Sequence, residues 1–191
     1  MEYSKSKVLP SFFKDSSDSM KYEEVIDFFM SWTIRCADDK NRTVDPLVHN
    51  NAKAILAKLI KVEKNDELVF TDVEVWKQHR RIDLWVEFRL NDKPQALIIE
   101  TKMYSTIRQN QLESYKKLVE DYYKEKNDKV LRHFVVLRPD YELGNNNPSE
   151  QSHCKDHGYT YLNLEQLQDV CKTLPTGNDL FDEFWYRWGN S

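Results

Sequence analysis

Glycine is scarce in this chain, with four among 191 residues. None stands in a GxGxxG or GxxxxGK arrangement, so a loop that cradles a nucleotide's phosphates is excluded. No GxSxG occurs either, which removes the strained elbow of a serine hydrolase. Cysteine is also sparse: Cys36, Cys154 and Cys171 are widely spaced, odd in number and without a CxxC pair. That is the usage of reduced thiols, and a cytoplasmic location is the expectation. His153, Cys154 and His157 have a faintly zinc-like spacing but no second ligand pair nearby in the chain. Long apolar runs are missing, so neither a membrane span nor, from the opening MEYSKSKVLPSFF, a secretory signal is expected. An excess of positive charge is missing too. The net charge of -4 counts against a protein that coats nucleic acid through bulk charge, although a local basic cleft remains open to it.

What the chain does have is apolar and aromatic substance, 40% and 13% of its residues. That is enough for one folded domain spanning 1–191, with the polar, serine-rich residues 1–20 as a loosely held lead-in. Apolar spacing predicts a helix from Tyr22 to Cys36, capped within Ser17–Ser19, and a second from about His49 to Val62 after the loop ADDKNRTVDP. LVFTDVEVW predicts a strand, broken by KQHRR. The next strand alternates, with Ile82, Leu84, Val86, Phe88 and Leu90 on one face and Asp83, Trp85, Glu87 and Arg89 on the other. NDKP is a turn. The strand through Ile98 is apolar on both faces and should be central, covered by helices on either side. Thr106 and Gln109 form a capping box for a helix beginning near Ile107, with Leu112, Tyr115, Leu118, Val119 and Tyr122 in one stripe. RHFVVL and GYTYLNL predict strands flanking the polar loop DYELGNNNPSEQSH. Helices follow over Leu164–Leu174 and DLFDEFWYRW. The order predicts an α/β or α+β fold around a mixed sheet.

Three ionisable groups interrupt the apolar hairpin Arg80–Met103. Asp83 begins one strand, and Glu100 and Lys102 end the next on a shared face. If the strands are antiparallel neighbours, all three meet. Carboxylates buried in such a patch are costly unless paired or bound to a cation. Two of them suit Mg²⁺ or Mn²⁺, with the Thr101 carbonyl as a further oxygen ligand. Arg108 and Gln111 share the stripe of the following helix without being apolar, and polar groups there want a partner at the strand end.

Ile82-Asp83 with Glu100-Thr101-Lys102 resembles the PD-(D/E)xK nuclease superfamily, and Gln111 with Tyr115 resembles the QxxxY element of its exonuclease and RecB-like branches. The first motif carries Ile where the family has Pro. The resemblance implies a restriction-endonuclease-like mixed central sheet flanked by helices on both faces, and a metal-dependent phosphodiesterase acting on nucleic acid, with DNA the expected substrate. It implies Asp83, Glu100 and Thr101 as metal ligands. Lys102 would orient or help deprotonate the attacking water, and Gln111 and Tyr115, with Arg108, would position the substrate. Arg80, Arg81 and His79 become candidates for phosphate contacts. Many relatives carry a further acid on an upstream helix, for which Glu23 and Glu24 are the candidates here, and such nucleases often pair as homodimers. A plain ion pair on a hairpin would also account for Asp83, Glu100 and Lys102. A nuclease-fold protein that binds nucleic acid or a protein partner without cutting is the alternative function.

Overall fold

The computed structural model describes residues 22–63, 67–103, 105–126, 129–138 and 147–188. Helix α1 (Tyr22–Cys36) buries Ile26, Met30 and Ile34 at a four-residue spacing. Its predicted caps at Ser17–Ser19 lie outside the described residues. Helix α2 (Pro46–Leu59) starts three residues before the predicted His49. The Asp45 carboxylate caps it by accepting from the Val48 amide at 3.1 Å, and Pro46 suits the first turn. The predicted loop before it contains a short 3-10 helix, Asp39–Asn41. Asp38 caps this turn and also accepts from the Val73 amide, which ties it to the sheet.

Five strands follow: β1 (Phe70–His79), β2 (Ile82–Leu90), β3 (Lys93–Thr101), β4 (Leu131–Leu137) and β5 (Thr160–Leu162), lying side by side in chain order. The first three are antiparallel, whereas β4 and β5 run parallel to β3, so the sheet is mixed. KQHRR does not break β1 as predicted. Lys77–His79 continue the ladder, and only Arg80-Arg81 turn, both left-handed at φ 53° and 71°. Asn91-Asp92 make the second two-residue hairpin, again with positive φ. Pro94 lies inside β3 rather than in the turn, opposite Arg89 and one residue before pairing with β4 begins at Gln95.

Two apolar layers sandwich the sheet. On one side Leu84, Val86, Phe88, Leu97 and Ile99 pack against α1 and α2; on the other Trp85, Ala96 and Ile98 pack against helix α3 (Gln111–Glu125) and helix α4 (Pro148–Asp156). Strand β3 is central and buried on both faces, as its sequence predicts. Ile82 departs from the predicted alternation and joins the α3 layer, because it follows directly on the left-handed turn. Glu87 and Arg89 do not pair with each other: Glu87 accepts from the Tyr123 hydroxyl at 2.6 Å, and Arg89 lies 3.4 Å from Asp72.

Helix α3 begins at Gln111, not Ile107. Asn110 is left-handed at φ 63° and makes no side-chain cap, so the Thr106/Gln109 box does not open the helix. The predicted polar loop before β5 holds α4, started by an Asn147 cap on the Glu150 amide and by Pro148. At the end of β4, Arg138 is buried and reaches both Glu150 oxygens at 3.2 Å and the Ser105 carbonyl at 3.1 Å. Helix α5 (Leu164–Gln168) opens with an Asn163/Gln166 capping box and stops six residues short of the predicted Leu174. Helix α6 (Asp179–Asp182) runs into a π-helical turn, Glu183–Trp188. Phe181, Phe184 and Trp185 are buried, with Phe184 stacked on Phe29 at 4.5 Å.

Candidate active site

Antiparallel pairing of β2 with β3 brings the start of one beside the end of the other, and this corner collects the predicted residues. Asp83 accepts from the Thr101 amide at 2.8 Å through Oδ2 and from Gln78 Nε2 at 2.9 Å through Oδ1. Glu100, 2% exposed, points to the α3 face. Its Oε1 accepts from Lys102 Nζ and from Gln111 Nε2, both at 2.5 Å. Its Oε2 is buried with no hydrogen-bond partner. Gln111 Nε2 also lies 3.4 Å from the Tyr115 hydroxyl, which donates to the Arg81 carbonyl at 2.8 Å. Asp83, Glu100, Lys102, Gln111 and Tyr115 thus form one connected corner.

The predicted cations are more dispersed. Arg80 and Arg81 are exposed at the β1–β2 turn. Arg108 is not on the α3 stripe at all; it precedes the helix, is exposed, and gives only its backbone N–H to Gln111 Oε1 at 3.2 Å. Thr101 turns its side chain to the opposite face, as alternation requires, and its hydroxyl donates to Asp27 Oδ1 at 2.7 Å.

Asp27 is the residue that sequence reasoning missed. It is 5% exposed on α1, and Glu23 lies one turn before it, accepting from the Met103 amide at 2.7 Å. Glu24 is exposed and sits near Lys77 instead. Between the two upstream acids, Glu23 therefore faces the corner. The only sequence signal for Asp27 was an acid flanked by Ile26 and Phe28, at i+4 from Glu23.

Electrostatically the corner is short of positive charge. Burial pushes the Glu100 carboxyl up to about 7 with help from the Asp83 charge, while Lys102 and Gln111 pull the other way. Burial also pushes Asp27 up to about 7, against its bond from Thr101, and the charges of Asp83, Glu23 and Glu100 add to the rise. For Lys102 burial alone would favour the neutral amine, but the bond and charge of Glu100 outweigh it and hold the ammonium above its ordinary range. Three acids, Glu100, Asp83 and Glu23, act on the Lys102 ammonium, and Asp27 adds a fourth carboxyl on the far side of Thr101. A divalent cation fits that imbalance: it would relieve the mutual repulsion and give Glu100 Oε2 the partner it lacks. Asp83, Glu100 and the Thr101 carbonyl are the oxygens that could hold it. Among the described residues, no three His, Cys, Asp or Glu side chains converge as a finished ligand cage.

A mixed five-stranded sheet between helical layers, with acids and a lysine at one strand end, defines an α+β domain of the restriction-endonuclease-like kind. The family model of the PD-(D/E)XK nuclease superfamily matches residues 1–176, and the chain belongs to that superfamily. This membership supports a nuclease-type function in general terms. No curated protein and no solved structure matches the chain significantly. No described helix is long and apolar enough to cross a membrane.

Proposed function

We propose that the chain is a divalent-metal-dependent phosphodiesterase that hydrolyses DNA. The observation that carries this reading is the buried Glu100 carboxylate, bonded through one oxygen to Lys102 and Gln111 and unsatisfied at the other, beside Asp83. Asp83 and Glu100, with the Thr101 carbonyl, would hold Mg²⁺ or Mn²⁺, which would supply Lewis acidity toward a phosphoryl oxygen. The bond and charge of Glu100 favour the Lys102 ammonium, which would orient the attacking water and offset phosphate charge. Gln111 fixes the Glu100 rotamer. Tyr115 ties the β1–β2 turn to α3 through the Arg81 carbonyl, and Arg80 and Arg81 on that turn would contact the phosphates.

Plasmid and oligonucleotide cleavage with Mg²⁺ or Mn²⁺ tests the reading. Wild type should cut, and Lys102→Ala and Asp83→Asn should each lose about a hundredfold or more. Equal activity in all three would sink it. A second reading, a fold that binds nucleic acid or a protein without cutting, draws support from Asp83, whose two oxygens are both already hydrogen-bonded. Calorimetric Mn²⁺ titration separates the two: binding that Glu100→Ala abolishes favours the enzyme, and no binding by wild type favours the inert fold.

A further inference from the structure

Aromatic rings and cations lie together on both flanks of this corner, and two of the rings, Trp76 and Phe28, are exposed. On the α3 flank a row of rings runs outward from the buried Trp85. Its indole meets the His79 ring at 5.2 Å and the Tyr122 ring at 5.0 Å, and His79 in turn lies 6.4 Å from Trp76, which is 37% exposed. The Arg80 guanidinium sits 5.0 Å from the Tyr122 ring centre, and the Lys126 ammonium lies 4.2 Å from the same centre. On the α1 flank Phe28 is 54% exposed, next in sequence to Asp27, with Lys77 Nζ over its ring. Lys77 is opposite Leu84 in the β1–β2 ladder, one residue before Gln78, whose side chain donates to Asp83.

These groups are placed along a path through the site. Tyr122 is two helical turns, about 10 Å, beyond Tyr115, and Tyr115 holds the turn that carries Arg80. Phe28 lies on the α1 side of the sheet, exposed beside Lys77. A base stacks on an exposed ring or on a guanidinium plane whatever its identity, provided it is not already stacked inside a duplex, and neighbouring ammonium groups take the phosphates. A duplex presents phosphates but hides its base faces, so it could use the cations and not the rings. An overall charge of -4 is no obstacle when Lys77, Arg80 and Lys126 each sit beside a ring of this surface.

We infer that the surface from Trp76 and Arg80 to Tyr122, with Phe28 and Lys77 on the other flank, is a stacking platform that holds single-stranded nucleic acid across the metal corner. The inference rests on the nuclease reading only for where the strand is cut; the binding itself needs no metal.

The test is fluorescence anisotropy in EDTA with labelled twelve-nucleotide dT and U strands and a twelve-base-pair duplex. Single strands should bind at least about tenfold tighter than duplex. Trp76→Ala, Phe28→Ala and Arg80→Ala should each weaken single-strand binding by roughly five- to a hundredfold, whereas Trp76→Phe should keep most of it. Circular dichroism confirms that each variant folds. Comparable dT and U affinities assign the site to either backbone, and a preference assigns it to one. Duplex binding as tight as single-strand binding, or alanine variants that bind like wild type, would overturn the inference. Because cleavage is assayed separately with metal, a platform without nuclease activity and a nuclease without a platform give different results.

Discussion

Glu100 and Asp27 are both carboxyls whose folded pKa, about 7, lies well above their ordinary values of 4.5 and 3.8, chiefly through burial. The folded state therefore binds protons that the unfolded chain has already released. Between about pH 4 and 7 the contribution of these groups to stability is largest at the acid end, and it is lost as pH rises through the folded pKa. Melts of the metal-free protein should show this share of stability declining from pH 5 to pH 8, and Asp27→Asn should flatten the decline by roughly 1–3 kcal/mol. Mn²⁺ affinity should run the opposite way over the same range, since the ligating carboxylates must first lose their protons. The meeting of Asp83, Glu100 and Lys102 was legible in the sequence because period-two alternation in two antiparallel strands places them together. Asp27 was not: its partner Thr101 is 74 positions away, and helical spacing says nothing about which strand end a helix will cross.

At the scale of elements, sequence patterns located the strands better than the boundaries of helices. The apolar runs of β2, β3 and β4 carry their own period, and Asn91-Asp92 is a recognisable turn. The start of α3 was misread because Thr106/Gln109 satisfies the capping pattern while Asn110, in a left-handed conformation, delays the helix to Gln111. That delay took Arg108 off the stripe. Helix α4 was hidden inside a polar stretch, and what holds it is a charge pair invisible to periodicity: Arg138 from β4 bonded to Glu150, with both side chains buried. The same guanidinium ties down Ser105, between β3 and α3. Arg138→Met should cost about 3–5 kcal/mol in urea unfolding, because it strands a buried carboxylate. Arg138→Met with Glu150→Leu should recover most of that loss. A double variant no more stable than the single one would show that the pair is not what matters.

Over the whole molecule, two apolar layers share one sheet, and the candidate site lies at the sheet end, where α1 meets one face and α3 the other. The sequence announced a central strand with both faces covered, and that inference located Glu100 at the end of β3. It could not announce that α1 and α3 close on the same end, since that depends on how the helices cross the strands.

The two-arginine turn of the β1–β2 hairpin sets stability against use. Left-handed backbone at two bulky residues costs of the order of 1 kcal/mol at each, where Asn-Gly would sit without strain. Arg80→Asn with Arg81→Gly should therefore raise unfolding stability by about 1–2 kcal/mol in urea melts while weakening the hold on single strands. Screening for heat-resistant variants of this protein would converge on that turn and, in doing so, discard its grip.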